Sequence, residues 1–301
     1  LATGTWQSTA RAPSITTVIT AQDIEATGAT DLDDLLEMVP GLHVARNNTT
    51  YTPIYTIRGL YSDFNPDVLV LINGISIKRS DSGNRGFAWG GMPVNAISRI
   101  EIIRGPGSAV YGADAFAGVI NIITKTKEDI EGTEMGARVG HFDTQDVWVL
   151  HGENYGGFDV ALALEFHVTD GHKEIIDADA QTQFDKIFGT NASLAPGPVN
   201  MQRRNFDLRL DVSNGNWRLR SGYQGRRNLG SGLSPAEALD PIGRLVDDRF
   251  NADLTYHNQK VTDNWDVTAQ ISYFHGAIET RNQTPFPPGA FGGAYPEGFH
   301  I

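Results

Sequence analysis

Three sets of residues in this sequence have types and spacings from which chemistry is built. The first, Gly105-Pro106-Gly107-Ser108-Ala109-Val110-Tyr111-Gly112, follows an apolar run in the manner of a loop that cradles phosphate. A dinucleotide fingerprint needs glycine where Val110 stands, and a phosphate loop needs lysine after its last glycine, where Ala113 stands. The spacing fails both tests, so the glycines are read as giving tight turns and close packing. The second set, Asp177, Asp179 and Asp185, offers carboxylate oxygens of the kind calcium takes, but no glycine and glutamate complete an EF-hand pattern. They stand as calcium candidates against the plainer reading of a solvated acidic loop. The third set is the eight histidines, among which no His-Glu-x-x-His pair occurs; His167 and His257 fall on the polar side of alternating segments. Without cysteine there is no thiolate zinc site, cysteine nucleophile or disulfide framework. No order of nucleophile, base and acid is readable, so the expectation is a chain that is not an enzyme and has no resident cofactor or metal.

Composition narrows the partners. A formal charge of -12 over 301 residues argues against nucleic acid, which needs clustered Lys and Arg. No run approaches the roughly 20 apolar residues of a membrane-spanning helix, Val68 to Ile72 being typical of the short runs present. Membrane strands escape that test because only every second residue is apolar, and the mean hydropathy of -0.28 fits them. Leu1 to Trp6 shows no basic segment followed by an apolar stretch, so an export signal is expected upstream of residue 1 or already removed.

The elements that carry these residues change character along the chain. Residues 1–127 mix short helices and strands. Thr20 is placed to cap a helical turn from Ala21 to Glu25, with Asp23 completing a capping box, and Thr30 with Asp33 repeats the pattern. Leu32, Leu35, Leu36 and Val39 share one helical face, which Pro40-Gly41 ends. Val68 to Ile72 reads as a strand buried on both faces and turned by Asn73-Gly74 into Ile75-Ser76-Ile77. Ile100 to Ile103 and Val119 to Ile123 add further apolar strands to a compact α+β unit.

Beyond that unit, residues 128–301 read as about seven long antiparallel strands with one apolar and one charged face. Phe206, Leu208, Leu210 and Val212 alternate with Asp207, Arg209 and Asp211, and Trp217, Leu219 and Tyr223 with Arg218, Arg220 and Gln224. Such alternation suits a soluble sandwich as well as a membrane barrel. The aromatics favour the barrel: Trp217 with Tyr223, Phe250 with Tyr256, Phe158 with Phe166 and Trp265 with Tyr273 sit near strand ends. At ~3.3 Å per residue and a tilt near 40°, their separations project to roughly 15 to 20 Å, close to the apolar band between aromatic girdles. Seven strands do not close around a unit of this size, so the sequence is expected to be the first part of a larger barrel. Gly171 to Gln202 exceeds a hairpin connection and is expected to be an external loop.

Four ordered blocks resemble the plug of TonB-dependent receptors: Ile15 to Ile24 with Asp34-Leu35-Leu36 and Val39-Pro40-Gly41; Thr56-Ile57-Arg58-Gly59; Val68 to Gly74; and Ile100 to Gly112 continuing through Ala117 to Lys125. Asn73, Ala113 and Ala117 depart mildly from the family pattern. The resemblance implies a bacterial outer-membrane barrel of about 22 strands occluded by this plug. It implies TonB, of the inner-membrane TonB-ExbB-ExbD complex, as a partner acting on a TonB box that is not recognisable here and that Leu1 to Thr9 would border. Import of a scarce nutrient follows, with a ferric siderophore as the leading cargo and haem, cobalamin or an oligosaccharide as others; a soluble binding or signalling module is the competing class. By the same resemblance Arg58, Glu101 and Arg104 form ion pairs between plug and barrel wall. The cargo meets outer plug loops at Tyr51, Tyr55, Arg79, Arg85, Phe87 and Trp89, whose rings and cations suit an anionic, aromatic iron chelate.

Overall fold

The computed structural model describes residues 15–47, 52–62, 66–79, 83, 88–262 and 265–301. The chain opens with β1 (Ile15–Thr20), α1 (Ala21–Thr27) and α2 (Leu32–Glu37). Thr20 caps α1 as its sequence suggests, Asp23 closing the box. The second cap falls one residue later than the pattern placed it: Asp31, not Thr30, accepts from Asp33 N at 3.0 Å, and Asp34 returns the bond. The Asp31 carboxylate, one bond longer than the Thr30 hydroxyl, meets the amide two residues on, which leaves Thr30 outside the helix.

A hairpin of β2 (Leu42–Arg46) and β3 (Pro53–Ile57) follows, then β4 (Val68–Ile72), β5 (Ile75–Ser76), β6 (Ile97–Arg104), the single turn α3 (Ser108–Tyr111) and β7 (Gly118–Thr124). Their mixed sheet runs β1-β6-β7-β4-β5, with β4 and β7 parallel. β4 is apolar throughout because both faces are covered. Val68, Val70 and Ile72 join the main core with Leu32, Leu35 and Leu36, while Leu69 and Leu71 pack with Ile103 and Val119 on the other side. Asn73 and Gly74 take the positive φ of 52° and 81° that the tight turn requires.

The remainder is a seven-stranded antiparallel meander: β8 (Gly132–Gly140), β9 (Thr144–Tyr155), β10 (Phe158–Thr169), β13 (Arg203–Asn214), β14 (Trp217–Gly230), β15 (Arg244–Thr262) and β16 (Trp265–Arg281). Between β10 and β13, where the sequence pattern indicates only an external loop, lie the short strands β11 (Ile175–Ile176) and β12 (Gly197–Pro198) flanking helix α4 (Ala180–Phe188). Turns at one rim are short, as at Gly156-Gly157 and Gly215-Asn216. The other rim carries the long segments 170–202, 231–243 and 282–301, which knit together: Gln181 Nε2 donates to Ala236 O at 2.8 Å, and Phe291 N to Gln181 Oε1 at 2.8 Å. In outer-membrane barrels the long loops face outward.

The sheet is inside out relative to a soluble sandwich. On β13, Asp207, Arg209 and Asp211 are buried against the N-terminal unit, while Phe206, Leu208 and Leu210 face outward, partly exposed. Phe166, Phe206 and Tyr223 form a row across adjacent strands, with Phe250 and Tyr273 continuing it; Trp217 and Tyr256 stand in contact nearer the short-turn rim. These are two girdles around an apolar outer band. Where the unit joins the sheet, Ala96 and Ile130 pack on Leu150, Ala161 and Ala163 of the inner face. Leu210→Arg, placed centrally in the outer band, is expected to cost about 2–4 kcal/mol, as for charges near a bilayer midplane; equilibrium unfolding of the full-length protein in lipid vesicles measures it.

Candidate functional site

The functional geometry lies where the N-terminal unit meets the inner face of the sheet, built around residues 88–93. Arg226 of β14 is fully buried. Its Nη1 donates to Asp207 Oδ2 at 2.8 Å, its Nε to Trp89 O at 3.1 Å and its Nη2 to Gly91 O at 2.8 Å. Asn205 Nδ2 and Arg203 Nη1 of β13 both reach Gly90 O, at 2.7 and 3.3 Å. The Arg249 guanidinium, paired through Nε with Asp247 at 2.6 Å, lies 5.1 Å from the Trp89 ring centroid. Gly90 and Gly91 adopt φ of 64° and 84°. A side chain at Gly90 would meet Arg226 and one at Gly91 the Asp31 carboxylate, so this approach needs both glycines.

A second contact runs from α2. Arg203 Nη2 lies 3.8 Å from Asp31 Oδ2, and Arg203 Nε donates to His167 Nε2 at 3.1 Å; His167 Nδ1 in turn meets Asp146, which pairs with Arg138 at 3.3 Å. Burial and the neighbouring Asp33 carboxylate push the Asp31 carboxyl up to about 7, against the pull of Arg203. Nearer the short-turn rim, Asn95 Nδ2 donates to Glu165 Oε2 at 3.2 Å.

The residues singled out by resemblance fall in several places. Tyr51, Arg85 and Phe87 lie outside the described residues. Tyr55 does not face a cargo surface: its ring is in the core and its hydroxyl donates to Asp33 Oδ1 at 2.8 Å. Trp89 is likewise buried, under Arg249, and Arg79 lies against Gly276 of β16. These two therefore dock the unit on the sheet. Arg58, Glu101 and Arg104 make the following contacts within the unit. Arg104 bonds Pro40 O and, at 3.0 Å, Thr17 Oγ1; Glu101 pairs with Arg99 at 2.7 Å; Arg58 lies beside Gly105. The charges seen to cross to the seven strands come from both sides: Arg226 and Arg203 of the sheet and Asp31 of the plug.

Two of the acidic loop residues hold the loop together, while Asp177 is exposed. Asp179 caps α4 and accepts from Leu239 N at 3.1 Å, and Asp185 accepts from Ala192 N and Ser193 N at 2.9 and 2.8 Å. Among the described residues no three acidic or histidine side chains gather as a metal site. Arg226, Arg203 and Asn205 were missed as interface residues. Strand parity is the signal that finds them: on β14 the even positions carry the charges and the odd ones Leu219 and Tyr223, which puts Arg226 inside and Arg227 outside.

A sheet with buried charges, an apolar exterior and a folded unit hydrogen-bonded to its inner face defines a plugged outer-membrane β-barrel wall. Residues 8–119 match the family described as the TonB-dependent receptor plug domain, and the strands that follow form part of a barrel wall. The chain is 41% identical over 126 residues to the vitamin B12 transporter BtuB of Vibrio vulnificus, covering 42% of this chain and 20% of that protein. It is 36% identical over 152 residues to the BtuB of Vibrio cholerae, covering 49% and 24%. Its fold is similar to the siderophore receptor PiuA of Acinetobacter baumannii, at TM-score 0.62 and 20% identity, covering 93% of this chain and 38% of that one. It is also similar to the ferric yersiniabactin uptake receptor FyuA of Yersinia pestis, at TM-score 0.60 and 17% identity, covering 92% and 42%. The chain thus spans a quarter or less of these two transporters and under half of these two solved receptors.

Two outcomes follow from the interface. Arg226→Ala removes the hydrogen-bonded cation of buried Asp207, leaving only Arg209 at 3.8 Å, and strips two plug carbonyls of a donor; the expected cost is about 3–5 kcal/mol, seen in the full-length receptor as faster hydrogen exchange at Leu32, whose amide bonds Met92 O. Asp31 holds its proton in the folded state up to about 7, whereas an unfolded carboxyl loses it near the ordinary 3.8. Its contribution to stability therefore falls as pH rises between those values and is level above them. Asp31→Asn, which retains a capping side chain, is expected to remove that part of the slope in melting temperature measured from pH 4 to 8.

Proposed function

We propose that the intact protein imports a scarce nutrient chelate across the outer membrane, with TonB supplying the force that displaces the plug. The observation that carries this reading is the interface itself. Wall cations donate to plug carbonyls, and wall side chains such as Trp148, Leu150 and Glu165 lie under the unit rather than lining open water. A unit seated in this way fills the space beside the wall, and moving it requires breaking buried charge-assisted bonds. That cost suits an energised importer better than a diffusion pore.

A ferric siderophore is the leading cargo, as the resemblance implies, and it is supported by the likeness in fold to siderophore receptors. A second reading, cobalamin, is favoured by the plug's identity to vitamin B12 transporters. Both cargoes are metal chelates too large for simple pores. The full-length gene expressed in a bacterium lacking its own receptors is expected to restore uptake of one radiolabelled chelate, and deletion of TonB to abolish it. Uptake that persists without TonB, or no uptake of any siderophore or of cobalamin, would refute the proposal.

A further inference from the structure

Beneath the outer rim, between plug and wall, lies a small open cleft of about 60 Å³, lined by Asp33, Arg46 and Thr52 of the plug and by Asn200, Arg203 and Leu229 of the wall side. It presents one guanidinium from each partner. Arg46 Nη1 stands 3.8 Å from Asp33 Oδ2, and Arg203 Nη2 stands 3.8 Å from Asp31 Oδ2. Both separations exceed the ~2.7–2.9 Å of a charge-assisted hydrogen bond, so each pairing is a loose one. Each acid also has another hydrogen bond to keep. Asp33 accepts from the Tyr55 hydroxyl at 2.8 Å, and Asp31 accepts from Asp33 N at 3.0 Å as the cap of α2. The arginines are therefore exchangeable without leaving a buried carboxylate bare.

We propose that this cleft is a subsite for a carboxylate of the cargo, and that a carboxylate bound there draws Arg46 and Arg203 from Asp33 and Asp31 and so unties α2 from the wall. The inference rests on the import reading above and narrows its cargo class. A guanidinium fork matches a carboxylate in two parallel bonds, and forks offered from two sides suit a chelate that carries several carboxylates. Arg203 keeps its Nε bond to His167, leaving Nη2 as the group that changes partner. The charged groups facing Asp31 are Asp33 and Asp34 of α2 and Arg203 of β13; behind Arg203 stand His167 of β10 and Asp146 of β9. Burial and the neighbouring Asp33 already favour the protonated form of Asp31, so an incoming anion meets less negative charge there than three ionised acids would present.

The test uses the full-length receptor in detergent, titrated by calorimetry with ferric citrate, a ferric tris-catecholate, a ferric trihydroxamate and cyanocobalamin. The expected result is binding of the carboxylate probe, weakened at least ten-fold by Arg46→Gln and by Arg203→Gln. Hydrogen exchange across residues 31–39 should rise when that probe binds to the unaltered receptor and should already be raised in Arg203→Gln without it. Binding confined to a probe without carboxylates, or equal binding by both variants, overturns the subsite while leaving import intact. Unchanged exchange across α2 on binding overturns the untying step. Failure of every probe to bind overturns the subsite and, joined to absence of TonB-dependent uptake, the import reading with it.

Discussion

Arg226 is a guanidinium on a barrel strand that solvent does not reach, and neither the wall nor the plug satisfies it alone. The wall supplies Asp207 and the Gly225 carbonyl, the latter at 3.3 Å; the plug supplies the carbonyls of Trp89 and Gly91. Taking such a charge out of water costs several kcal/mol unless nearly every donor is met, so the plug loop is held to the tolerance of a hydrogen bond. The rest of the interface is built out from this point. Gly90 and Gly91 bring the backbone close enough, Asn205 fills the remaining carbonyl, and Arg249 lies over the indole that the loop carries.

The same constraint orders the sheet. Charges that would be unbearable on the lipid side are tolerated on the inner face because the plug and their cross-strand partners meet them: Arg220 binds Asp253 at 2.7 Å and Arg218 binds Asp211 at 2.8 Å. The outer face is left to Leu, Val and rows of rings. A soluble sandwich would bury those apolar rows and expose the charges, so burial decides between two architectures that share one alternating pattern.

How far the sequence could be read depended on the range of the interaction. The Thr20–Asp23 box, the Leu32-Leu35-Leu36 face and the Asn73-Gly74 turn involve neighbours within a few positions and were legible. The Asp31 cap was missed by one residue because Thr30 and Asp31 both satisfy the pattern, and only the reach of the side chain separates them. The hairpin of β2 and β3 was not seen, since Leu42 to Arg46 and Pro53 to Ile57 are short and mixed in character. The exposure of Tyr55 and Trp89 was illegible for another reason: an aromatic in a loop looks alike whether it meets cargo or the core. What buries Trp89 is Arg249, 160 positions later in sequence. Strand parity would have shown which charges face inward, though not which plug carbonyls they find.

The plug has two kinds of attachment to the wall, and water affects them in opposite ways. Around residues 88–93 the bonds are polar, and water admitted there once the plug is displaced can partner the freed carbonyls and guanidinium N–H groups and so offset part of the cost of separation. At the plug's far end Ala96 and Ile130 sit on Leu150, Ala161 and Ala163, and Gly152 lets the Ile130 backbone come close. Water offers nothing to that contact; wetting the lumen only increases the advantage of keeping it closed. Hydration of the barrel interior therefore acts selectively, lubricating the outer side of the plug while the junction with the first strands stays seated as a fixed pivot.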